Sequence, residues 1–188
     1  MSSLVGQRVL LVGVSSGIGA ALAEELHERG AIVAVSARRA DRLDELSRGR
    51  FATVPVDVTD HAAVLEGARQ VGETIGPIDT VVWCAGYWHT FDATDWQAEE
   101  FARHVEVNLL GLGHVVDATV PEMVARGRGH LPRLVEAVTD HQPVPVLIHR
   151  TGVSVDVGGD LGAQCRGEPR VDAEVAELLD TVTPTADA

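Results

Sequence analysis

Lysine is absent from this chain; all 15 of its basic residues are arginine. Tyrosine occurs once, as Tyr87, and cysteine twice, as Cys84 and Cys165. Two thiols so far apart provide neither a disulfide framework nor a metal knuckle. The 8 histidines include no His-x-x-x-His or His/Cys pair at ligand spacing, so they read as surface residues and no metal is expected. Positive charge is scarce. A net charge of -13 argues against a nucleic-acid partner and against an anionic membrane surface. No apolar run approaches a membrane span, and no basic stretch leads into an apolar core at the N-terminus. Neither a membrane segment nor a signal peptide is expected, and the expected location is the cytoplasm.

What is present is small and apolar. Hydrophobic residues make up 45% of the 188 and aromatics only 4%, which suits an α/β core built from Ala, Val and Leu. Val9-Leu10-Leu11-Val12 reads as a strand buried on both faces of a parallel sheet. Gly13-Val14-Ser15-Ser16-Gly17-Ile18-Gly19 then makes a turn, and Ala20-Ala21-Leu22 continues into an Ala/Leu/Glu-rich helix that runs to Gly30. Strand, glycine turn and helix in one unit point to a dinucleotide site. Gly13 lets the chain turn sharply, Gly17 lets backbone approach a diphosphate, and Gly19 lets helix pack close to strand. The helix N-terminus offers unpaired N–H groups and a positive dipole end to phosphates. The plainer alternative is a glycine turn that binds nothing.

Further strands are expected at 31–36, 51–58 and 79–84, and helices at 40–48, from Thr59 or Asp60 to Ile75, and from 96 to 126 with Asp95 as its cap. Right-handed crossovers between them give a Rossmann-like doubly wound α/β sheet with strand order 3-2-1-4. The sheet is incomplete, with room for one further strand. Ligands of such sheets bind at the switch point between strands one and four.

The spacing Gly-x-x-x-Gly-x-Gly, with Ser15-Ser16-Gly17-Ile18-Gly19, resembles the cofactor loop of the short-chain dehydrogenase/reductase family. That family usually has Thr where this chain has Val12. The resemblance implies that Gly13, Ser15, Ser16, Gly17, Ile18 and Gly19 hold a nicotinamide dinucleotide. Arg38 and Arg39 follow strand two about twenty residues past the loop, where an acidic residue would grip a ribose 2′-hydroxyl. Ala37 stands at the acidic position, and a guanidinium directly after it suits a 2′-phosphate, so NADP(H) is expected over NAD(H). Two solvated arginines at a helix start remain the alternative. Asp57-Val58 resembles the family's adenine contact, with strand-end capping as the alternative. Cys84-Ala85-Gly86 stands where the family carries Asn-Ala-Gly beside the nicotinamide ribose, Cys removing an amide hydrogen-bonder. Asn108 matches the helix asparagine that helps hold a water near the family's active site and is the one catalytic residue carried over; a solvated helix Asn is the alternative. The family also commonly dimerises through the helix expected here at 96–126.

The likeness covers 9–130 and stops there. Residues 1–131 read as the dinucleotide-binding domain and 132–188 as a divergent segment. Pro132 would remove a ladder donor from what should be a central strand. The family's Tyr-x-x-x-Lys pair, in which Lys lowers the Tyr pKa, is not encoded, since no tyrosine follows Tyr87 and there is no lysine. Nothing in the sequence places an arginine beside Tyr87 to substitute for it. Residues 144–148 read as a short strand that would cover strand four, 150–170 as loop or disorder, and 172–182 as a short helix. Arg-for-Lys usage with abundant Ala, Gly and Val points to GC-rich coding DNA, and the abrupt change fits a truncated or frame-shifted family member. A Tyr-x-x-x-Lys in another frame near codon 130 would support the slip; its absence from both would end it.

Tyr87, Trp88, Phe91, Trp96 and Phe101 crowd the region after strand four. They read equally as a wall of an apolar substrate pocket or as packing for the long helix. Three functions follow as expectations. One is an NADP(H)-dependent oxidoreductase acting on a small carbonyl or alcohol, with impaired or absent turnover. Another is a non-catalytic NADP(H)-binding or regulatory module. The last is a chain that hardly folds alone.

Overall fold

The computed structural model describes residues 4–15, 17–92 and 94–132, together with the strand backbone at 146–149 and 152–155. Strands β1 (Arg8–Val12), β2 (Ile32–Ala37), β3 (Ala52–Pro55) and β4 (Thr80–Trp83) form one sheet in the order β3-β2-β1-β4. Every pairing in it is parallel, with Val9 opposite both Val33 and Thr80. Helices α1 (Gly17–Glu28), α2 (Ala40–Ser47) and α3 (His61–Ile75) make the crossovers. This is the Rossmann-like arrangement the apolar strand runs imply.

Successive β1 side chains point to opposite faces, so each face has its own core. Val9 and Leu11 join Leu22, Leu26 and Leu43 on the α1/α2 side. Leu10 and Val12 join Val64, Val71, Val115 and Trp83 on the other. Each such side chain contributes about 1.5–3 kcal/mol by leaving water. Of the two candidate caps for α3, Asp60 does the work: its carboxylate accepts the Ala63 N–H at 3.0 Å.

The long helix is a correction. Helix α4 (Ala98–Val105) passes through one π turn, Glu106–Leu110, into α5 (Gly111–Ala125). Gln97, not Asp95, occupies the N-cap position, and it makes no side-chain cap bond. Asp95 instead accepts from the Gln97 side chain at 3.1 Å. Pro121 sits inside α5.

At the end of the sheet remote from the glycine turn, Asp79 ties the strands together. It accepts from Arg8 Nε at 2.8 Å and from Arg126 at 3.2 Å. Burial opposes its ionisation, but the Arg8 and Arg126 hydrogen bonds outweigh that and hold its carboxyl below the usual range.

Beyond α5 the chain returns beside β4. The His130 N–H donates to Asp79 O at 3.0 Å and His130 O accepts from Val81 N at 2.9 Å, a parallel bridge that begins to cover the β4 edge. Leu131–Pro132 (β5) then pairs antiparallel with Val146–His149 (β6), which pairs antiparallel with Gly152–Val155 (β7). Pro132 therefore lies in a two-residue strand paired antiparallel with β6 rather than in the parallel central strand expected of it. Residues 152–155 correct the loop expected there. The expected helix at 172–182 and the rest of 156–170 lie outside the described residues, as does Ser16.

Candidate cofactor site

The glycine turn owes its shape to two glycines whose surroundings leave no room for a Cβ and a third with a left-handed backbone. Gly13 has φ +96°, and a Cβ there would fall 2.3 Å from the Ala85 backbone. The turn after β1 and the loop after β4 thus touch backbone to backbone. Gly17 opens α1 at φ +67° and is exposed. A Cβ at Gly19 would meet Val14 Cγ1 at 3.0 Å and Cys84 Cβ at 3.3 Å, so α1 packs directly on the strand ends. Above Gly13 the Ser36 carbonyl accepts from both Gly13 N at 2.7 Å and Val14 N at 3.3 Å. The first turn of α1 carries no acidic residue, leaving its positive end open to an anion. A diphosphate fits this cradle. Ser15 is half-buried beside it, whereas the Ile18 side chain is 8% exposed and packs in the core. Only the Ile18 backbone can serve a ligand.

Arg38 and Arg39 are exposed just past β2. Asp57 follows β3 and is exposed, its carboxylate held in a local turn where it accepts the Thr59 N–H at 3.0 Å and hydroxyl at 2.8 Å. Burial raises the Asp57 pKa, but Thr59, with Arg38 and Arg103 nearby, brings it net below the usual range. The carboxylate is thus kept ionised as an acceptor. Val58 is buried, against the spot where a Gly111 Cβ would come within 2.9 Å of it. Cys84 is half-buried, and its N–H donates to Val12 O at 2.7 Å, extending the β1–β4 ladder up to the glycine turn.

Asn108 lies in the π turn and clamps the loop after Gly86. Its Oδ1 accepts the Tyr87 N–H at 2.7 Å and its Nδ2 donates to Tyr87 O at 2.9 Å. The side chain is spent on backbone, so its alternative as a solvated helix residue is ruled out.

Three residues of α4 that the sequence reading passed over complete the grip on this loop. The Tyr87 hydroxyl donates to the Glu100 carboxylate. The Arg103 guanidinium lies 4.4 Å from the Tyr87 ring centroid. His104 Nε2 accepts the His89 N–H at 3.0 Å. Glu100, Arg103, His104 and Asn108 fall at helical spacings that share one face, a signal available from sequence. An arginine does stand beside Tyr87, a placement the sequence did not show. The Glu100 hydrogen bond, with burial, nevertheless pushes the phenol pKa up, and Arg103 only partly offsets this. Tyr87 therefore stays a protonated donor, the reverse of what a lysine-activated tyrosine requires.

The histidines correct the surface reading as well. His104 and His114 are half-buried, and His114 Nδ1 donates to Val58 O at 2.9 Å. Tyr87, Trp88 and Phe91 surround His104, and Phe91, Trp96 and Phe101 continue the contact chain. Trp88, Trp96 and Phe101 keep much of their surface in water.

Comparison with known proteins agrees with this geometry. Residues 7–156 match the family model for short chain dehydrogenases, past the point where the recognised motifs end. The chain is 40% identical over 134 residues to a glycine betaine reductase of Emericella nidulans, covering 68% of this chain and 11% of that protein. It is 34% identical over 138 residues to an uncharacterized oxidoreductase of Staphylococcus haemolyticus, covering 71% and 60%. A NAD+-bound xylitol dehydrogenase superposes with TM-score 0.66 at 26% identity, covering 70% of this chain and 54% of that one. L-Sorbose reductase from Gluconobacter frateurii, solved with NADPH and L-sorbose, gives 0.64 at 29%, covering 69% and 52%. The chain thus spans about three-fifths or less of these relatives. The glycine cradle, the strand order and the family match together place this chain in the short-chain dehydrogenase/reductase family, whose members bind nicotinamide dinucleotides.

Proposed function

We propose that this chain binds NADP(H) through the Gly13–Gly19 turn, as an oxidoreductase of its family whose hydride transfer is impaired or absent. The observation that carries the reading is the backbone contact of Gly13 with Ala85 under an α1 N-terminus free of acidic side chains. In this reading Ser15, Ser16, Gly17, Ile18 and Gly19 present N–H groups to the diphosphate. Arg38 and Arg39 take the ribose 2′-phosphate. Asp57 and Val58 take the adenine, and Cys84, Ala85 and Gly86 line the nicotinamide side. The bound nicotinamide would supply hydride chemistry toward a small carbonyl or alcohol. The chain itself supplies no proton path of the family's kind, because the sequence has no lysine and the Tyr87 hydroxyl is held by Glu100.

That same pairing favours a second reading, a non-catalytic NADP(H)-binding or regulatory module. Residues 1–131 form the dinucleotide unit in both. A homodimer through 96–126 suits the exposure of Trp96, Phe101, Leu109 and Leu110 along that stretch. Both readings concern a cytoplasmic protein with no nucleic-acid or membrane partner.

Fluorescence titration with NADPH beside NADH, followed by turnover assays on aldehydes and ketones, separates these readings. Tighter NADPH binding with little or no turnover is expected. Arg38→Asp is expected to weaken NADPH by about tenfold or more while sparing NADH. Equal affinity for both cofactors would remove the NADP(H) assignment, and robust turnover would overturn the account of the missing pair.

A further inference from the structure

His104 has both ring nitrogens committed, and the commitments fix its protonation. Its Nδ1 lies 2.7 Å from Glu100 O. A carbonyl oxygen only accepts, so Nδ1 carries a hydrogen. Its Nε2 lies 3.0 Å from the His89 backbone nitrogen, whose N–H donates. Nε2 must therefore hold a lone pair. One imidazole satisfies both bonds in one form, neutral with the proton on Nδ1. Around that ring stand Tyr87, Trp88 and Phe91, with centroids 5.1, 5.5 and 5.8 Å away and planes 68°, 85° and 74° to it. Three side chains and one backbone amide of the segment after β4 thus converge on a single α4 residue.

We propose that neutral His104 is the positioning residue for the 87–91 loop, and that adding a proton to it releases the loop. A proton on Nε2 would face the His89 N–H, two donors with no acceptor between them. The groups about the ring do not compensate. Glu100 is engaged by the Tyr87 hydroxyl, Arg103 lies over the Tyr87 ring and adds positive charge, and His89 offers its backbone amide. Asn108 holds Tyr87 independently, so release begins beyond it, at Trp88 to Phe91. The loop follows Cys84-Ala85-Gly86, so its bearing on the nicotinamide side rests on the proposed function, whereas the latch itself does not. In that setting the wall beside the nicotinamide is closed while the His104 ring is neutral and loosens when it carries a second proton.

Long-range proton–nitrogen NMR of the whole chain at pH 8 reads the tautomer, with Nδ1 protonated and Nε2 bare as the expected result. Fluorotryptophan labelling then follows the loop by fluorine NMR, with Trp88→Phe assigning its resonance and fully buried Trp83 as reference. Lowering the pH from 8 to 5, the range in which histidines gain charge, is expected to move the Trp88 signal through a single-proton step. His104→Gln keeps an acceptor without titrating and is expected to abolish that step. An Nε2–H tautomer or a charged ring at pH 8 overturns the proposal, whether or not the variant folds. So does the lack of a step in the unmodified chain, or a step that survives in His104→Gln. None of these readouts uses cofactor, so failure to bind NADPH would remove the proposed function and leave the latch standing.

Discussion

At Gly13 a methyl group would meet the Ala85 backbone at 2.3 Å, in a conformation with φ +96° that side chains rarely adopt. Gly13→Ala is expected to cost about 3 kcal/mol in chemical denaturation, combining backbone strain with overpacking. A cost under about 1 kcal/mol would mean that the two loops do not touch. Asp79 makes the second test at this scale. Asp79→Asn keeps the shape but removes the charge shared by Arg8 and Arg126, and is expected to cost about 2 kcal/mol. Because the folded-state pKa of Asp79 is depressed, its contribution is present above the unfolded carboxylate value of about 3.9. It is lost as pH falls through the lower folded value. Stability curves of wild type and Asp79→Asn should therefore converge in acid below about pH 3.9.

Among elements, α3 holds two glycines with opposite expectations. A Cβ at Gly67 would lie 2.6 Å from Val56 Cγ2, whereas at Gly72 nothing stands within 4 Å. Gly72→Ala is expected to stabilise by up to about 1 kcal/mol through helix propensity, and Gly67→Ala to destabilise. Thermal melts of the two variants check both signs. The strands and the α1 turn were legible because burial on both faces and a glycine-dictated turn write themselves into consecutive residues. The α3 cap was legible for the same reason, since Asp60 and Ala63 are neighbours in sequence. The π turn was not. It accompanies Asn108 reaching Tyr87, a partner 21 residues away, and no local periodicity encodes such a contact. The misplaced cap followed from the same limit, since Asp95 and Gln97 are equally local choices and the loop before them decides. Arg103 over Tyr87 and His104 on His89 were hidden likewise, although their shared helix face was in view.

For the whole molecule, the four-stranded order was legible, and the short strand expected at 144–148 stands as β6 at Val146–His149. It pairs with β5 and β7 rather than β4, a pairing that Pro132 and the Gly-rich stretch from 152 do not encode in strand periodicity. The row of exposed apolar side chains from Trp96 to Leu110 leads to a prediction at this scale. In sedimentation velocity the chain is expected to run as a dimer, and Leu109→Glu with Leu110→Glu as a monomer. The account stands or falls on the phosphate cradle. Adding NADPH to nitrogen-labelled chain and recording backbone amide shifts tests that cradle most directly. The account predicts the largest changes at the Gly17, Ile18 and Gly19 N–H groups, with smaller ones at Asp57 and Gly86. Saturable binding whose shifts fall elsewhere, or no binding at all, would contradict it.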